Sequence, residues 1–304
     1  MNTPIYILGA GAIGKALAVN LILAEKNVVL LRASQDDIPE STTLINCRYK
    51  GEDLPPVEVK SISLNLVDTL DGIILVTTKA YGNEAMAQKL KGKTGSSPLV
   101  ILQNGLGVEA AFIDADFPEL YRCVLFTTSE SLSETEISYK PVATSPIGIV
   151  KSDLTDVKQI VQAISTSGFA FTDVEDIQKI AWKKTILNSV YNSICPLLNI
   201  DNGIFHRNEE VATLAKEIVT ECLYVANAAG IELTQEEIEE RIYFISKSSD
   251  GQLISTLQDI NNHRETEIDS LNLAIVSIAE KLGLQSHVTR TKMLGELIKI
   301  KSKF

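Results

Sequence analysis

The stretch Ile5-Tyr-Ile-Leu-Gly-Ala-Gly-Ala-Ile-Gly14 decides the fold. Four apolar residues, Ile5–Leu8, have the length of a strand buried on both faces. They run straight into G-x-G-x-x-G, and Lys15–Glu25 then carries helical spacing. A second apolar run, Val28–Leu31, follows about twenty residues after the first, which completes a βαβ unit. In that setting each glycine has a physical task. Gly9 permits a tight turn, Gly11 lets backbone approach a pyrophosphate, and Gly14 lets the helix pack against the strand. With Ala10, Ala12 and Ile13 between them, these residues form a candidate phosphate cradle at a helix N-terminus. The competing reading is a glycine-rich turn that binds nothing.

Outward from this unit, Gly72–Val76, Leu99–Leu102, Ile147–Val150 and Phe169–Thr172 extend the strand series, interleaved with helical stretches. From about Asp176 only helical periodicity remains, over 176–197, 207–229, 234–247 and 266–282. Thr234, with Glu237 three residues later, is a candidate N-cap. The expected organisation is therefore an α/β dinucleotide-binding domain over 1–174 and an all-α domain over 175–304. A length of 304 residues fits two domains.

Composition narrows the function classes. There are 39 acidic against 28 basic side chains, a net charge of −11, which argues against a nucleic-acid or anionic-membrane surface. An apolar run of the length that spans a membrane is not found. Cys47, Cys123, Cys195 and Cys222 are widely spaced and form no C-x-x-C pair, so they read as reduced, buried thiols rather than a metal or dithiol site. The three histidines are too scattered for a metal site. The N-terminus lacks the basic region of a signal peptide, so a cytoplasmic protein is expected.

Arg32 occupies the end of the second strand, where an NAD enzyme places an acid for the ribose 2′-hydroxyl. A guanidinium there suits a 2′-phosphate, and Ser34 adds a hydroxyl. Asp36 and Asp37 count against this, and a solvated strand-end charge is the alternative. The reading adopted is NADP(H). Lys79 in VTTKAY and Asn104 in LQNGLG both follow apolar strands, at the sheet edge where ligands bind; Asn104-Gly105 could equally be a plain turn.

In AWKKTILNSVYNSICPLLNIDNG, residues Lys184, Asn188 and Asn192 stand at i, i+4 and i+8. Each step of four drifts only ~40°, so the three share one stripe, either a ligand-facing one or a solvated face. A second polar set holds Ser255, Asp259 and Glu267. Its ends would lie ~18 Å apart on one straight helix, so a break near Asn261-Asn262 is expected if both serve one small ligand.

Taken together and in order, these motifs resemble the ketopantoate reductase (2-dehydropantoate 2-reductase) family across almost the whole chain. The resemblance rests on the glycine turn, Arg32, Lys79 in TKAY, Asn104 in QNGLG, and Trp182, Lys184, Asn188 and Asn192 in order. Asn202-Gly203, Ser255 and Glu267 complete it. It implies an NADP(H)-binding Rossmann-type domain followed by an all-α domain like the C-terminal one of 6-phosphogluconate dehydrogenase. It also implies reduction of a 2-keto acid, ketopantoate, to pantoate in pantothenate synthesis. Lys184 would be the catalytic lysine, Glu267 an acid touching cofactor or lysine, and Asn188, Asn192, Asn202 and Ser255 substrate contacts. One departure matters: in Phe126–Tyr139 the family has small residues beside the nicotinamide, where this chain has Glu130 and Ser131. The alternatives are a related 2-keto acid or opine-type reductase and a non-catalytic NADP(H) sensor. The all-α half is the candidate surface for a homodimer.

Overall fold

The computed structural model describes residues 3–304. The chain divides into two compact units, Met1–Gln103 with Val108–Ile177, and Asn104–Gly107 with Gln178–Phe304.

The first unit is a sheet covered by helices. Its strands are β1 Ile5–Leu8, β2 Val28–Arg32, β3 Ser41–Tyr49, β4 Glu52–Asp53, β5 Val57–Ser63, β6 Ile73–Val76, β7 Leu99–Ile101, β8 Leu120–Cys123, β9 Thr127–Ser131, β10 Glu136–Pro141, β11 Ser145–Lys151 and β12 Phe171–Asp173. The order is β12-β11-β8-β7-β6-β1-β2-β5-β3-β10-β9, with β4 beside β3. From β8 to β5 every neighbouring pair is parallel. The apolar runs of β1, β6 and β7 explain this, since strands buried on both faces need no polar side.

Alternate residues of β1 feed two apolar layers. Ile5 and Ile7 pack with Leu17, Val19 and Leu21 of α1 (Ala12–Leu23), whereas Leu8 packs with Met86 and Leu90 of α2 (Asn83–Leu90) and Phe112 of α3 (Ala110–Asp114). The short α4 (Val157–Ile164) starts at Asp156, whose side chain accepts from Lys158 N, and buries Ile160 and Ile164 beside α1.

Two features go beyond what the sequence pattern tells. Ile147–Val150 lies in β11, which runs antiparallel to β8, not parallel. Phe126–Tyr139 is mostly a β-hairpin: β9 pairs antiparallel with β10, and β10 runs parallel to β3. The hairpin is tied to α1, because Tyr139 OH donates to Asn20 Oδ1 at 2.8 Å and Lys15 Nζ donates to Glu134 O at 2.6 Å.

The second unit is helical: α5 Ile177–Leu198, α6 Ile204–Arg207, α7 Glu209–Ala228, α8 Gln235–Ser248, α9 Ser255–Asn261, α10 Asn272–Lys281 and α11 Thr289–Lys301. Caps set several starts. Asn208 accepts from Val211 N and opens α7, and Thr234 accepts from Glu237 N and opens α8. The stretch 266–282 is not one helix, contrary to expectation. A single 3₁₀ turn, Ile268–Ser270, precedes α10, and Leu271, at φ −105° and ψ −103°, interrupts the two. Cys47, Cys123, Cys195 and Cys222 are all buried.

Candidate functional site

In the first unit the strand order reverses direction between β1 and β6, and ligands of open α/β sheets bind at such a point. Leu8 is in register with Val76, so Gly9 and Thr77 emerge side by side. Thr77 Oγ1 donates to Leu8 O at 2.8 Å and braces the turn. A threonine after a strand carries no distinctive sequence signal, so the role of Thr77 emerges only from the structure.

The three glycines of the turn are glycine for different reasons. Gly9 has φ +119°, and a Cβ there would stand 2.7 Å from Thr77 Oγ1. A Cβ on Gly14 would run into Gly9 O. The fold itself therefore demands both. Gly11 is different. Its φ of −76° and ψ of −177° suit any residue, and a Cβ there meets no atom within 4 Å. Among the described residues nothing requires glycine at position 11, whereas a ligand lying on the backbone would. Gly11 also begins α1 without a side-chain cap, and the first turn carries no acid. Its N-terminal N–H groups and positive dipole end are suited to a phosphate. Ala10, Ala12 and Ile13 are half-buried against the core beneath.

At the end of β2, Arg32 Nη2 donates to Ser41 Oγ at 3.0 Å, while Nη1 is buried without a hydrogen-bond partner among the described residues. A buried guanidinium N–H without an acceptor is costly unless a ligand supplies one. Asp36 and Asp37 are engaged elsewhere: Asp36 pairs with Lys89 at 2.9 Å, and Asp37 Oδ1 accepts from Asn65 Nδ2 at 2.7 Å. Lys79 lies half-buried just past β6 and opens a 3₁₀ turn, Ala80–Gly82. These residues fit a nicotinamide dinucleotide.

In the second unit Lys184 Nζ donates to Asn104 Oδ1 at 2.8 Å, and Asn104 Nδ2 donates to Glu267 Oε2 at 3.4 Å. An amide between a cation and a carboxylate has one sensible orientation, with its oxygen toward the ammonium and its NH₂ toward the acid. Asn104 is therefore more than a turn residue. Its loop is pinned by Gly105, whose φ is +101° and whose Cβ would collide with Ser270 O, and by Leu106 N donating to that same oxygen at 2.9 Å. Glu267 and Ser270 thus stand at the two ends of the segment that receives the loop.

Asn188 is half-buried and Asn192 buried on the Lys184 stripe of α5. Asn192 Oδ1 accepts from Ser255 Oγ at 3.3 Å and from Thr256 N at 3.2 Å, so it holds the start of α9 and leaves its NH₂ as the donating end. The expected helix break falls where predicted: α9 ends at Asn261, and Glu267 belongs to the next segment. Asn202 is buried with Oδ1 unpartnered. Asp259, in contrast, pairs with Arg264 at 3.0 Å. The neighbouring Lys183 turns to Glu237 at 3.1 Å, and Trp182 is core. Glu130 and Ser131 stand on β9, both exposed, with Glu130 opposite Ser138.

Residues 5–149 match the family described as ketopantoate reductase PanE/ApbA, and residues 176–302 match its C-terminal part, ketopantoate reductase PanE/ApbA C terminal. A 2-dehydropantoate 2-reductase of Streptococcus pyogenes serotype M18 (strain MGAS8232) is 28% identical over 305 residues, covering 98% of this chain and 97% of that protein. One from Pyrococcus horikoshii is 25% identical, with 98% and 97% covered. Among solved structures, a PanE/ApbA family ketopantoate reductase from Ralstonia eutropha JMP134 superposes with a TM-score of 0.83 at 22% identity, covering 99% of this chain and 100% of that one. A D-mandelate dehydrogenase bound to NADH and anilino(oxo)acetate superposes with a TM-score of 0.82 at 22% identity, covering 98% of each.

Proposed function

The chain belongs to the ketopantoate reductase family of oxidoreductases, and from this premise we propose that it reduces the keto group of 2-dehydropantoate to the hydroxyl of pantoate with NADPH, using Lys184 as general acid. The carrying observation is the Lys184–Asn104–Glu267 chain, which holds an ammonium by its Nζ against a fixed amide oxygen. NADP(H) is supported by the bare Gly11 and the buried, unpartnered Nη1 of Arg32.

Reduced nicotinamide, when bound, supplies the hydride to the keto carbon. The chain's own residues handle the oxygen and the substrate's position. Negative charge develops on the former carbonyl oxygen, and Lys184 stabilises it and gives up one proton from Nζ. Asn104 aims the ammonium, and Glu267 fixes Asn104. Asn188, the NH₂ of Asn192, the unpartnered Oδ1 of Asn202 and the Ser255 hydroxyl supply donors and acceptors for the substrate hydroxyl and carboxylate, and such positioning accounts for a large part of the rate. Lys79 meets the cofactor beside the glycine turn. The roles divide along the chain, cofactor binding in 1–174 and substrate binding in 175–304, and the helical part forms a homodimer.

The runner-up is reduction of a different 2-keto acid by the same residues. Glu130, which replaces a small residue of the family pattern, favours it. The test is NADPH consumption with 2-dehydropantoate, pyruvate, 2-ketoisovalerate and phenylglyoxylate in parallel, repeated with NADH. Preference for 2-dehydropantoate and NADPH is the expected result. Preference for phenylglyoxylate would transfer the assignment to an arylglyoxylate reductase, and cofactor binding without turnover of any keto acid would leave a sensor.

A further inference from the structure

The loop after Arg32 is held from three sides. Ser63, at the end of β5, donates Oγ to Gln35 O at 2.6 Å and accepts from Ile38 N at 3.0 Å. Asn65 accepts from Asp37 N at 3.1 Å and donates to Asp37 Oδ1. Lys89, in the last turn of α2, donates to Ala33 O at 3.2 Å and to Asp36 Oδ1 at 2.9 Å. The next carboxylate, Glu40, faces Lys60 at 3.8 Å.

This arrangement bears on the choice between two cofactors that differ by one phosphate. The 2′-phosphate brings close to two negative charges against Arg32. Asp36 sits four residues away on the same loop, and an unopposed carboxylate there would repel it. We infer that Lys89 is a positioning residue for 2′-phosphate selectivity. It neutralises Asp36, adds a cation of its own, and ties down Ala33, the residue next to Arg32. The inference rests on the NADP(H) reading above.

Lys89 and Asp36 are both substantially exposed, with side chains 37% and 53% accessible, so their pairing contributes little to folding. Its effect should appear in the comparison of two ligands, where folding cancels. Screened Coulomb repulsion at a few ångströms to a Debye length corresponds to roughly three- to tenfold in affinity.

The experiment is a fluorescence titration of the full chain with NADPH and with NADH, which needs no substrate. Lys89→Ala should weaken NADPH roughly three- to tenfold and leave NADH unchanged. Lys89→Arg should stay near wild type, and Asp36→Asn on top of Lys89→Ala should restore much of the NADPH affinity. Equal weakening of both cofactors, unchanged selectivity, or no rescue by Asp36→Asn would overturn the role of Lys89 while leaving the NADP(H) reading intact. A wild-type protein that binds NADH as tightly as NADPH would overturn both. A thermal melt of each variant excludes loss of fold as the cause.

Discussion

At the scale of single residues, the fold demands glycine at two positions of the turn, Gly9 and Gly14, and makes no such demand at Gly11. Gly14→Ala would drive a methyl group into Gly9 O and should lower the melting temperature. Gly11→Ala opens onto empty space, so its melt should match wild type while its dissociation constant for NADPH rises several-fold. Equal melts for the two variants would contradict this division. Lys184, the proposed general acid, is the other position to test. Lys184→Ala should lower kcat by roughly 10²–10⁴-fold, the span of general acid catalysis, with NADPH affinity preserved. Wild-type kcat in that variant would remove Lys184 from the mechanism. The glycines and the polar stripe of α5 were legible because their spacing is itself the signal. The pairing of Asn104 with Lys184 was not, because it joins residues 80 positions apart and depends on the backbone of Gly105.

At the scale of elements, propensity and pattern read well wherever an element makes its own case. Four-residue apolar runs became β1, β6 and β7, and Thr234 with Glu237 marks the start of α8. Thr234→Ala should cost about 1 kcal/mol by denaturant titration, the usual loss for an N-cap hydroxyl; an unchanged midpoint would show that Glu236 and Glu237 hold that end without it. Elements defined by partners were not legible. Neither β9 nor β10 has a long apolar run, and the hairpin exists because β3 offers an edge and α1 offers Lys15 and Asn20. The stretch 266–282 keeps helical periodicity through its break because the apolar residues Ile268, Leu271, Ile275 and Val276 still turn inward on both sides of it. Periodicity reports which side is buried, and the chain can meet that demand with a 3₁₀ turn as well as with a helix.

For the molecule as a whole, the acid limit of stability should carry the mark of Asp201. Hydrogen bonding from Arg207 holds its carboxyl down to about 2, burial opposes this, and the N–H groups of Gly203 and Gly251 add to the lowering. A carboxyl whose folded value lies below its unfolded value stabilises the fold above the unfolded value, and this is lost as pH falls through the folded one. The melting-temperature gap between wild type and Asp201→Asn should thus be full above about pH 4 and close toward pH 2. A gap that persists undiminished at pH 2 would refute the assignment. The tetrad Asn104–Gly107 has a longer reach. It is encoded inside the first unit and folds as part of the second. A gene cut at the apparent boundary would yield a helical fragment bearing Lys184 without Asn104, the side chain that aims it. The two halves are therefore poor candidates for independent shuffling, and recombination between distant relatives should be tolerated only where the QNGLG tetrad and the Glu267–Ser270 segment travel together.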